Sequence, residues 1–284
     1  MFNTDARILQ RIAPLMQRVL VVDPAPASVR LLSELLRDIA HCQVWTAPDA
    51  HRGFALAEQV NPHMVFVEQN AAVNGAAFTR RLRRSDLNCR KSPVIMVTSE
   101  ATAATILGAR DSGVHEFLRK PYTAKDLMRR LEAVTLRGRD WVEAVNYVGP
   151  DRRRFNSGDY SGPLKRGADV NETADETRIL QALKILKSAI SAIDLDPKQA
   201  LRAMLTQANE LQSAARTIKD PKLGAAAAGL QKKLQAAGAG PMAKEDLQAH
   251  LAELWTFAPD EAGKKSVGAY ASGDGRLLRD WSGR

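Results

Sequence analysis

The chain has 284 residues, with 41 lysines and arginines against 32 aspartates and glutamates, a net charge of +9 and an apolar share of 45%. That composition excludes a wholly disordered chain, and no run approaches the roughly 20 apolar residues of a membrane span. Two cysteines, Cys42 and Cys89, exclude a disulfide framework or a four-cysteine zinc site. With an N-terminus that lacks an apolar signal segment, they point to a reducing cytoplasm.

Residues 1–17 read as an N-terminal helix or arm. The runs RVLVVD (18–23), MVFVE (64–68) and PVIMVT (93–98) are short, β-branched and free of polar interruptions, which predicts strands buried on both faces. Weaker strand signals lie at 43–46 and 116–118. Apolar residues at helical spacing predict helices over 27–39, 49–59, 76–84, 102–112 and 123–136. Five strands alternating with five helices make βαβ units, so 18–136 is expected to be an α/β domain with a doubly wound parallel sheet.

Residues 137–171 break the pattern with Gly, Pro, Ser, Asp and Arg, and read as a basic linker or irregular ligand-binding loop, a hinge between two halves. Residues 172–258 are helical throughout. Ile179, Leu183, Leu186, Ile190 and Ile193 step by 4 and 3, and Met204, Ala208, Leu211, Ala215 and Ile218 repeat the steps. Such spacing fits an all-α helical bundle, whose seams are also suited to a homodimer. Asp196-Pro197 and Asp220-Pro221 read as helix starts. Residues 259–284 are rich in Gly and charge and read as a disordered tail.

In an open parallel sheet, function gathers at the carboxyl ends of the strands. Those ends here carry Asp23, Glu68, Thr98 and, after the last strand, Lys120-Pro121. Carboxylates suit a magnesium ion, and a lysine and a hydroxyl suit phosphoryl oxygens. With LVVD (20–23), VFVE (65–68), IMVTS (95–99), the Gly113 turn and FLRKPY (117–122), the segment resembles the receiver domain of two-component response regulators. The resemblance implies a flavodoxin-like sheet of order 2-1-3-4-5. It implies an aspartate after the third strand that takes a phosphoryl group from a histidine kinase, with paired acids after the first strand to hold magnesium. Thr98 and Lys120 would contact the phosphoryl group, and Phe117 would be the switch aromatic.

Two departures stand out: Glu68 occupies the phospho-acceptor position, and Pro24 replaces the second acid. The extra methylene moves the carboxylate outward by about 1.5 Å, a misplacement on a scale that can cost about 100-fold in rate. Asp23 alone is a weak metal ligand, so magnesium binding is weakened. A permanently charged Glu68 would pair with Lys120 and imitate part of the phosphorylated charge. The expectation is a pseudo-receiver that catalyses nothing and signals by protein contacts, with a histidine kinase or downstream protein as partner. A slowly phosphorylated true regulator and an arginine-rich effector that binds cyclic di-GMP are the alternatives.

The excess charge gathers at Arg80, Arg81, Arg83, Arg84, Arg90 and Lys91, and again in the 137–166 segment. Arg152, Arg153 and Arg154 suit anion or nucleotide contacts, including cyclic di-GMP. The helical half lacks a helix-turn-helix signature, which argues against DNA. His250 reads as a surface or core histidine, Trp255 as a core residue, Cys42 as a strand residue and Cys89 as an exposed loop thiol.

Overall fold

The structure is a computed structural model and describes residues 3–152, 174–237 and 244–258. Helix α1 (Asn3–Ile12) precedes β1 (Arg18–Val22), α2 (Pro26–Ala40), β2 (Gln43–Ala47), α3 (Ala50–Val60), β3 (Met64–Glu68) and α4 (Gly75–Arg84). Then follow β4 (Val94–Thr98), α5 (Ala103–Asp111), β5 (Glu116–Arg119) and α6 (Ala124–Leu136). The strands are parallel in the order β2-β1-β3-β4-β5, the flavodoxin-like order.

Period-two alternation splits the sheet residues between two cores, which explains the absence of polar interruptions. Val19, Val21, Phe66, Ile95, Val97 and Leu118 pack on one face with Leu32, Leu36, Leu127 and Leu131 of α2 and α6. Leu20, Val22, Val65, Val67, Met96 and Phe117 pack on the other with Phe78, Leu82 and Ala109 of α4 and α5. Ile12 at the end of α1 and Met16 just beyond it enter the first core, so the N-terminal helix is part of the domain's packing.

The second region is a four-helix bundle of α7 (Ala174–Ser191), α8 (Pro197–Ile218), α9 (Pro221–Ala237) and α10 (Lys244–Trp255). Helix α8 packs between α7 and α9, and α10 packs on both α7 and α9. Asp196 caps α8 by accepting from the Gln199 amide (3.1 Å), and Asp220 accepts from the amides of Lys222 and Leu223. The two apolar seams of α7 and α8 are consumed inside this bundle. They are therefore unavailable to the homodimer that their spacing suggests, and only Ile218 of those positions is exposed.

Three other expectations change. The described part of the supposed hinge folds into an antiparallel hairpin of β6 (Trp141–Glu143) and β7 (Val148–Pro150). Cys89 is buried, its thiol donating to the Ala57 carbonyl (3.4 Å), because the 3-10 turn at 88–91 folds back under α3. Trp255 is exposed at the end of α10, with the Lys187 ammonium 5.6 Å from its ring centre. The expected tail at 259–284 lies outside the described residues.

The hairpin is held by close backbone approach. Gly113, at φ +88°, closes the turn into β5, and a Cβ there would meet the Val148 carbonyl oxygen at 2.5 Å. A Cβ on Gly149 would in turn meet the Gly113 Cα at 2.6 Å. The Tyr147 hydroxyl closes the hairpin by donating to the Pro150 carbonyl (2.6 Å).

Candidate functional site

The site lies where β1, β3 and β4 end and the chain leaves β5. Asp23 follows β1 directly, and its Oδ1 accepts from the Ala25 amide (2.8 Å), which fixes the carboxylate at the start of α2. Glu68 is the last residue of β3 and is only 3% exposed. Lys120 enters from the loop after β5, ahead of Pro121.

Lys120 draws these groups together. Its Nζ donates to Asp23 Oδ2 (2.9 Å), to Glu68 Oε2 and to the Ser28 hydroxyl (3.3 Å). Three oxygens thus occupy an ammonium that has three N–H bonds to give. The expected Glu68–Lys120 pair is present, while Ser28, in the first turn of α2, went unnoticed in the sequence because a lone serine at a helix start reads as ordinary capping chemistry.

Electrostatics correct one expectation. Burial raises the Glu68 carboxyl to about 7, against the opposing pull of Lys120 and with a further push from Asp23. Its charge is therefore not permanent at neutral pH. One ammonium serves two carboxylates, and the surplus negative charge favours a bound proton.

Thr98, at the end of β4, is fully buried and points at the backbone. Its hydroxyl donates to the Gln69 carbonyl (2.6 Å) and accepts from the Glu100 amide (3.1 Å). Phe117 lies inside the second core, with its side chain buried. The Asp23, Glu68 and Lys120 side chains therefore meet, whereas Thr98 braces the loop behind Glu68 and Phe117 packs below.

The donor set fits a magnesium ion poorly. Pro24 supplies no side-chain oxygen, and Lys120 stands against both carboxylates. Among the described residues no group of three or more His, Cys, Asp or Glu side chains is placed to hold a metal ion.

The expected anion-binding arginines lie elsewhere. Arg152 donates to Asp111 Oδ1 (3.1 Å) and stacks 4.5 Å from the Tyr147 ring centre, so it is engaged in tying the end of the hairpin to α5. Arg153 and Arg154 lie outside the described residues. Arg83, grouped by sequence with the other basic residues of its helix, is fully buried. It donates to the carbonyls of Gly113 (2.9 Å), Arg90 (2.6 Å) and Ser92 (2.9 Å) and to His115 Nδ1 (3.1 Å). Its guanidinium lies 5.3 Å from the Trp141 ring centre. Nothing in the local pattern separates it from Arg80 and Arg81, because its partners come from residues up to 32 positions away.

The family model for the response regulator receiver domain matches residues 19–132. Protein PilH of Pseudomonas aeruginosa is 31% identical over 120 residues, which are 42% of this chain and 98% of PilH. The DNA-binding dual master transcriptional regulator RpaA of Synechocystis is 32% identical over 123 residues, 43% of this chain and 50% of RpaA. The chain thus spans nearly all of PilH but about half the length of RpaA. Among solved structures, the chemotaxis protein CheY4 of Vibrio cholerae matches at 26% identity and a TM-score of 0.39, covering 42% of this chain and 98% of that protein.

Proposed function

The chain belongs to the response regulator receiver domain family, and from that premise we propose that it acts in two-component signalling as a pseudo-receiver, through protein contacts and without the ordinary phosphoryl cycle. The single observation behind this reading is the Lys120 ammonium, whose three hydrogen bonds go to Asp23, Glu68 and Ser28. In that arrangement the lysine is spent on side chains already present. The nucleophile position carries a buried glutamate whose carboxyl burial raises to about 7, so at neutral pH a good part of it is protonated and a poor nucleophile.

What remains is a packed receiver whose rim is closed by its own side chains. The Glu68 carboxyl group fills the place where a phosphoryl group would otherwise sit, and Lys120 holds it there. A histidine kinase or a downstream signalling protein is the partner class that goes with this role. No helix among the described residues is long and apolar enough to cross a membrane.

The test is incubation of the full chain with acetyl phosphate and magnesium, read by intact mass with a phosphorylatable receiver alongside. The expected result is an unchanged mass for this protein while the control gains a phosphoryl group. Stoichiometric phosphorylation at Glu68 overturns the reading.

A further inference from the structure

The opposite end of α4 from the rim carries a second buried polar cluster, which neither the family match nor the rim accounts for. Its centre is Glu143 of β6, a carboxylate 1% exposed. Three parts of the molecule donate to it. Arg90, from the turn that follows α4, donates to Oε1 (2.6 Å). Trp141 of the same hairpin strand donates to Oε2 (2.9 Å). Gln199, in the first turn of α8, donates to Oε1 (3.0 Å) and also to the Ala144 carbonyl (3.2 Å). Gln207, two turns along α8, donates to the Glu143 carbonyl (3.2 Å).

An outer ring of ion pairs surrounds this cluster. Arg84 donates to Asp196 at the cap of α8 (2.9 Å) and to the Val145 carbonyl (2.6 Å). Asp86 accepts from both Lys198 and Arg202. Buried hydrogen bonds inside, with exposed ion pairs outside, form the arrangement of a specific interface rather than of a flexible tether.

The other end of α4 is tied as tightly to the rim. A Cβ on Gly75, the first residue of α4, would meet the Glu68 carbonyl oxygen at 2.6 Å. Gln69 Oε1 accepts from the Ala76 amide (3.0 Å), and Thr98 holds the Gln69 carbonyl. One helix therefore runs between the Glu68 loop and the Glu143 cluster.

We propose that the receiver, the 141–150 hairpin and the helical bundle form one body keyed by Glu143, and that α4 carries changes at the rim to the start of α8. Output then consists of loosening or shifting a docked bundle. Because this rests on the joint, it holds whether or not Glu68 takes a phosphoryl group.

Spin labels on cysteines introduced at the exposed positions Glu58 and Lys232 of the full chain report the distance between the two regions, the native cysteines being buried. One narrow distance distribution is expected, broadening to about double its width in E143Q and in Q199A. Near-UV circular dichroism checks that both variants keep their packed cores. Amide exchange over 197–207 is the second readout. In K120A, where two carboxylates face each other without their cation, its protection should change by about fivefold or more. Adding E143Q to K120A should abolish that response. A broad distribution in the parent chain overturns the single body, and unchanged widths in both folded joint variants overturn the key. Unchanged exchange in K120A overturns the transmission.

Discussion

Glu68 and Glu143 are both buried carboxylates at opposite ends of one helix, and they are treated in opposite ways. At the rim, one ammonium is divided between two acids, so desolvation wins and the Glu68 carboxyl rises to about 7. At the joint, burial also pushes Glu143 up, but hydrogen bonds from Arg90, Gln199 and Trp141 outweigh it and hold the carboxyl below the usual glutamate range. The difference is a matter of counting donors. A buried acid with its own full set of partners is a fixed structural charge, whereas one that shares a single partner is poised to gain or lose a proton.

The most severe way to break the comparison is E143A, which leaves Arg90, Trp141 and Gln199 without their shared acceptor. A loss of about 3–5 kcal/mol is expected, measured by urea denaturation of the full chain. Next comes G113A, whose Cβ would strike the Val148 carbonyl from a left-handed backbone conformation. It is expected to cost about 1–3 kcal/mol and to raise amide exchange in the hairpin before the rest of the receiver.

The two glutamates also predict pH slopes of opposite sign. Glu68 titrates higher in the folded chain than its unfolded value of about 4.3. Its protonated form therefore favours folding at pH below that value, and the contribution is lost as pH rises through about 7. Glu143 is depressed, so its contribution is present above its ordinary value and is lost as pH falls through its folded value. Melting temperatures should accordingly show E68Q with a flatter profile than the parent between about pH 5 and 8, and E143Q with a flatter profile on the acid side. A parent-like slope in E68Q would assign the neutral-pH titration to another group. The smallest effect belongs to D86A. Its exposed ion pairs with Lys198 and Arg202 should contribute no resolvable change in melting temperature at physiological ionic strength.

The receiver half was legible because its signals are local. The unbroken apolar strands, the Gly113 turn and the strand-end residues each sit within a few positions of the feature they announce, and the sheet order follows from the family they resemble. The Glu68–Lys120 pair was legible for the same reason, since both residues occupy fixed places in that pattern. The joint was not. Arg83, Glu143 and Gln199 look like ordinary surface residues of their own segments, and only contacts across 30 to 56 positions reveal their burial. The 141–150 hairpin was hidden by its shortness, because strands of three residues, one of them Val-Gly-Pro, carry almost no period-two signal. The apolar seams of the bundle showed that helices pack, but periodicity does not say against what, and here the partner is the same chain.

Helix α4 is ten residues long, which at 1.5 Å of rise per residue places its ends about 15 Å apart. Glu68 and Glu143 at its two ends are both buried, so salt screens little of what passes between them. A displacement of Gly75 at the rim is carried along the same rod to the turn that holds Arg90. The span between rim and joint is thus a dry strut rather than a gap of water, and raising the ionic strength should leave the link between them intact.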